Sequence, residues 1–233
     1  METPEAPLTA ARLPLAAALA WAAAFSAFPL PVLGAGPCDG VRATVVLNSD
    51  PGKVVHRAGH TRSDLKRIQE RHGGKGSKRG WYPLGLTQAE LRIDMRLGVR
   101  VVPVSANRFC AAPVKVEVTA GFTTFVIYID RKYRRGGCAY RAILDHEEEH
   151  VAVYRETLRR YAPWIEERLA LEVRRLRPVT VGSRERAAER VKKLLMGKLR
   201  PLVKKMETAA ELANAEIDTV TSYRAIHAKC RKW

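Results

Sequence analysis

Between Cys138 and Thr157, residues Ala139, Ala142, Ile143, Val153 and Thr157 recur at three- and four-residue steps, and two histidines, His146 and His150, occupy the same helical face. A helix with such a stripe turns it toward the body of the protein, so both imidazoles are delivered to an interior.

The five residues His146-Glu147-Glu148-Glu149-His150 also form the His-Glu-x-x-His spacing. Four helical residues turn through about 400°, which stacks His146 over His150 at a separation able to grip one Zn²⁺. Glu147 lies beside them, placed to act as a general base toward water activated by the metal. The competing reading is an acidic run on a solvated helix with two packed histidines.

The N-terminus has one basic residue, Arg12, then an apolar stretch from Leu13 to about Phe28, closed by Pro29, Pro31, Gly34 and Gly36. Residues 1–36 therefore read as a signal peptide, with an uncleaved anchor as the alternative. The stretch is shorter than the roughly 20 residues of a membrane span, so no transmembrane domain is expected after cleavage. Export to an oxidising compartment, secreted or periplasmic, suits the four cysteines, none in a Cys-x-x-Cys pair. The expected pairing joins Cys110 to Cys138, tying the β region to the histidine helix, and Cys38 to Cys230, joining the two ends. Without residues 1–36 the chain keeps 40 basic and 22 acidic side chains, a net charge of +18. Such a surface attracts polyanions, among them anionic cell-envelope components. Nucleic acid is disfavoured by export and by an aromatic content of 7 %.

Residues 37–233 read as a single α+β domain, with a β-rich, mainly antiparallel half (37–137) packed on a helical half (138–233). A strand is expected over Val41 to Asn48, a helix over Thr61 to His72 opened by Thr61 or Ser63, and a flexible basic loop over Gly73 to Gly80. Leu91, Ile93, Met95 and Leu97 alternate with Glu90, Arg92, Asp94 and Arg96, as a half-buried strand requires. Val114, Val116 and Val118, then Phe125, Ile127 and Ile129, repeat the alternation, and Thr119 to Gly121 between them suggests a hairpin. Gly136-Gly137 turns the chain into the histidine helix. Pro163 reads as the first turn of a second helix ending before Pro178. Ser183 caps a third, kinked or broken at Gly197 and Pro201, and a last helix spans Leu202 to Ala228.

Two histidines need a third protein ligand, since a catalytic zinc keeps one position for water. Val153 and Glu156 stand where a local extension of the motif would require Gly and His. At this point the chain resembles a bacterial family of predicted secreted zinc-dependent proteases, catalogued as a domain of unknown function. The likeness lies in Val55 to Ile68 with Gly59 and Asp64-Leu65, in Gly85 to Leu97, in Cys110, Val114, Val116, Ile127 and Ile129, and in His146 to His150. Near the C-terminus the family carries Tyr-Asp, a Thr three residues on and a His two further. This chain has Ile217, Asp218, Thr221 and Tyr223 there, keeping Asp and Thr but replacing the His.

The resemblance implies a zincin-like metal helix and a secreted or periplasmic zinc metallopeptidase, a hydrolase acting on peptide or protein substrates. On that reading His146, His150 and Asp218 hold Zn²⁺ and Glu147 is the general base. Periodicity offers a rival third ligand, Glu216, on the stripe Ala209, Ala213, Glu216, Val220, Tyr223 and His227. Tyr223 is either a candidate oxyanion stabiliser or a packed core residue. His56, His60, His72 and His227 show no ligand spacing. The alternative function is a non-catalytic basic envelope protein, with structural zinc or none, binding anionic partners.

Overall fold

A computed structural model describes residues 36, 38–72 and 83–233. Residues 1–35 of the expected signal segment and the Gly73 to Gly80 loop lie outside the described residues. In chain order the elements are β1 (Thr44–Asp50), β2 (Lys53–Arg57), α1 (Arg62–Arg71), β3 (Gly85–Ser105), β4 (Arg108–Ile129), α2 (Cys138–Arg175), β5 (Val179–Val181), α3 (Glu185–Ile217) and α4 (Val220–Ala228). The fold is α+β.

Strand β4 organises the sheet. Strand β3 runs antiparallel along one edge of β4. The other edge is shared by three short strands, antiparallel β5 from Phe109, parallel β1 from Lys115 and parallel β2 from Thr124. The sheet is therefore mixed rather than mainly antiparallel. Val116, Val118, Ala120, Phe125, Ile127 and Ile129 of β4 share one core with Met95 of β3 and the inward faces of α2 and α3.

The hairpin expected at Thr119 to Gly121 does not form, because β4 continues through it. The register against β3 shifts between Glu90, paired with Thr124, and Leu91, paired with Phe122. Thr123 is thus the extra residue of a bulge, which moves the buried positions from even to odd numbers. A change of alternation phase looks like two strands in the sequence. Gly121 serves close approach rather than a turn, since a Cβ there would lie 2.2 Å from the Asp50 carbonyl oxygen. A second shift, between Gly98 and Val99, leaves Val114 exposed instead of aligned with Val116.

The helices are longer than the prolines suggest. Pro163 lies inside α2 and Pro201 inside α3, both on exposed faces. An interior proline costs about 3 kcal/mol. Around them Ile165, Leu169, Leu199 and Val203 are buried, each contributing about 1.5–3 kcal/mol, so continuity wins. Helix α1 starts as expected at Thr61, whose side chain accepts from the Asp64 N–H. Helix α3 starts at Glu185 after Arg184, without a side-chain cap from Ser183.

The disulfides are Cys38–Cys110 and Cys138–Cys230, not the expected pairs. Parallel pairing of β1 with β4 brings the chain just before β1 beside the start of β4, where Cys110 lies. Helix α4 packs back on α2 and carries Cys230 to the first residue of that helix.

Candidate metal centre

Gly136, with φ at +77°, and Gly137, the N-cap, turn the chain into α2. The stripe then places Ala142, Ile143, His146, His150 and Thr157 in the interior. Glu147 is buried as well, at 4 % exposure, although it follows the stripe by one residue. The first residue of β3 explains how it fits: a Cβ on Gly85 would lie 2.6 Å from Glu147 Oε1 and 2.8 Å from Ile143 Cγ2. Two residues on, Thr87 Oγ1 lies 2.8 Å from Glu147 Oε2 and 3.0 Å from the Glu147 carbonyl oxygen.

Asp218 arrives from the opposite side. Thr219 and Ser222 form a reciprocal cap that starts α4, so α3 stops at Ile217 and Asp218 takes a non-helical backbone (φ −89°, ψ 53°). Its Oδ1 sits 3.2 Å from His146 Nε2 and 3.3 Å from His150 Nε2. One ligand atom from each of the three residues lies within 4.8 Å of the others. Glu216 is exposed on α3 and does not join them. The Glu216 stripe presumes one unbroken helix from Leu202 to Ala228, and the cap at Thr219 breaks that phase.

Behind this triad stands Asn214, buried one turn before Asp218. Its Oδ1 accepts from His150 Nδ1 at 2.8 Å while its Nδ2 donates to the Ala210 carbonyl at 2.8 Å. With the amide nitrogen committed, the oxygen must face the ring, so His150 is protonated at Nδ1 and presents Nε2 to Asp218. Protonated on both nitrogens, the ring donates its Nε2–H to Asp218; without that proton the Nε2 lone pair and the carboxylate oxygen face the same point, where a cation can take the proton's place. The donor set, two imidazole nitrogens and one carboxylate oxygen with a hydrogen-bonded outer partner, could hold a metal ion.

The electrostatics reflect this crowding. Burial disfavours a charged His150, but the hydrogen bond to Asp218, the Glu147 carboxylate and Asn214 outweigh it and push the pKa up to about 9. Burial also opposes ionisation of Asp218, yet the hydrogen bonds to His146 and His150 hold it well below the usual carboxylate range. Glu147 is raised by burial, against the pull of His150, Thr87 and His146. Tyr223, half-buried, donates to Asp218 Oδ1 at 3.2 Å, and its ring lies 5.5 Å from that of His146. Burial and the Asp218 charge raise its pKa.

The other histidines sit elsewhere. His227 stacks on Trp233 at 4.2 Å, His60 meets Tyr128 edge-on at 5.0 Å, His72 reaches Gln88, and His56 lies 4.0 Å from Glu148. Sequence reasoning missed Thr87, Asn214 and the space-making role of Gly85. Asn214 carried a faint signal, standing four residues before Asp218, whereas nothing local marks Thr87. Comparison of the chain with models of protein families, with curated proteins and with solved structures finds no match.

Proposed function

We propose that this protein is a zinc-dependent metallopeptidase of an oxidising compartment, hydrolysing peptide bonds in secreted or periplasmic space. The observation that carries the reading is the convergence of His146, His150 and Asp218 within 4.8 Å, beside the buried carboxylate of Glu147. The His-Glu-x-x-His spacing of His146 to His150 supports it. So do the two disulfides, which fit an oxidising compartment.

On this reading His146, His150 and Asp218 hold Zn²⁺, which when bound supplies a Lewis acid that activates water and polarises a carbonyl. Asn214 orients His150. Glu147 takes the proton of the attacking water and returns it to the leaving amine, a shuttle helped by a carboxyl raised through burial. Thr87 fixes which Glu147 oxygen is free, because its own proton is directed to Oε2 and the carbonyl. The half-exposed Asp218 marks the side from which a peptide reaches the site.

Elemental analysis and digestion of an unbiased peptide mixture, read by mass spectrometry, test the proposal together. One zinc per chain, with cleavage lost and zinc kept in Glu147→Gln, is the expected result. Undiminished cleavage by Glu147→Gln, or no zinc after reconstitution, overturns it.

A further inference from the structure

On the solvent side of α2 and α3, two open grooves of about 960 and 820 Å³ run into each other, sharing Trp164, Pro201 and Lys205. Their origin is visible in the helices. Arg160, Trp164 and Arg168 recur at four-residue steps and so lie on one face of α2. Opposite them α3 carries Gly197, where a Cβ would meet nothing within 4 Å, and Pro201, so no long side chain closes the gap.

The lining combines apolar surface with cations. Tyr161, Trp164 and Leu212 line the first groove, and Leu212, 64 % exposed, is the most exposed large hydrophobic residue among those described. Arg160 and Lys205 lie over the Tyr161 and Trp164 rings at 5.9 and 5.7 Å. Lys204 is drawn to Glu207 and Glu211 at 3.4 and 3.8 Å. Arg168, Arg175, Arg190, Lys193 and Lys198 continue the cationic lining in the second groove. Against these eight cations the two grooves contain one carboxylate, Glu172, 3.2 Å from Lys198.

A partner for this face needs an anionic surface over an apolar layer. Duplex nucleic acid offers phosphates but no apolar layer to receive Leu212. An anionic phospholipid leaflet offers both: head groups for arginine and lysine, and an interface that accepts Trp, Tyr and Leu side chains. We propose that the α2/α3 face docks the protein on an anionic phospholipid surface, with Leu212 and Trp164 entering the interface and Arg160, Arg168 and Lys205 on head-group phosphates. The docking is independent of the metal centre.

Co-sedimentation of the full chain with vesicles of phosphatidylcholine, alone or with about one third phosphatidylglycerol, tests this. Binding to the anionic vesicles is expected to fall as salt rises from about 0.1 to about 0.5 M. Arg160→Glu/Arg168→Glu/Lys205→Glu should weaken it at least about tenfold, and Leu212→Ser severalfold without any change of charge. The exposed residues Arg92, Arg96 and Arg100 of β3 provide the control. Arg92→Glu/Arg96→Glu/Arg100→Glu makes the same charge change and should stay within about twofold of wild type. Unchanged Tm in each variant verifies folding. Equal losses in both triple variants, equal binding to neutral vesicles, or loss of DNA-oligonucleotide retention with vesicle binding intact would overturn the proposal.

Discussion

His150 and Asn214 are joined Nδ1 to Oδ1 at 2.8 Å, and the second hydrogen bond of Asn214, to the Ala210 carbonyl, makes that contact directional. The imidazole has one tautomer available, the one that points Nε2 at Asp218.

On the proposed zinc reading, Asn214→Leu should bind the metal about 10- to 100-fold more weakly, the usual cost of losing an outer partner of a ligating histidine. Asn214→Asp, which keeps an acceptor, should recover most of the loss. Competition against a chromogenic chelator measures both. Equal affinity in Asn214→Leu would mean the contact does not orient the ring.

Gly85→Ala should displace Glu147, because the new methyl would lie 2.6 Å from Oε1 and 2.8 Å from Ile143 Cγ2. Overpacking of this kind costs about 1–3 kcal/mol. The expected signature is a lowered denaturation midpoint and lost hydrolysis with zinc binding retained, since neither histidine is touched. Calorimetry and zinc titration on the same sample separate the two effects.

The metal-free protein should lose stability with rising pH. The folded pKa of His150 is raised to about 9 from an ordinary 6.5, so its contribution is complete below about pH 6.5 and is lost as pH rises through about 9. Urea denaturation at pH 6, 7.5 and 9 with chelator present follows it. A flat profile, or a rising one, would contradict the arrangement of His150 and Asp218.

Removing the Cys138–Cys230 bridge by Cys138→Ala/Cys230→Ala should cost about 4.6 kcal/mol, from loop closure over a separation of 92 residues. It should also weaken zinc binding, because the bridge fastens α4, and with it Tyr223 at Asp218, to the start of α2. The Cys38–Cys110 bridge, separation 72, should cost a similar stability while leaving zinc affinity unchanged. Paired denaturation and zinc titration of the two double variants decide it.

What the residues determined locally was period and punctuation. The stripe through His146 and His150, the alternation from Leu91 to Leu97 and the cap at Thr61 are short-range patterns, and each takes the expected form. Tertiary structure decided wherever the balance involved partners distant in the chain. Burial of Ile165, Leu169, Leu199 and Val203 carried two helices through Pro163 and Pro201. Pairing with β3 placed a bulge at Thr123 and made one strand of two apparent ones. Parallel addition of β1 to β4 chose Cys110 for Cys38. The cap at Thr219 turned Asp218, and not Glu216, toward the histidines. A local pattern states which face a segment buries, but the energy that selects phase, continuity and partner comes from surfaces that meet only after the chain has folded.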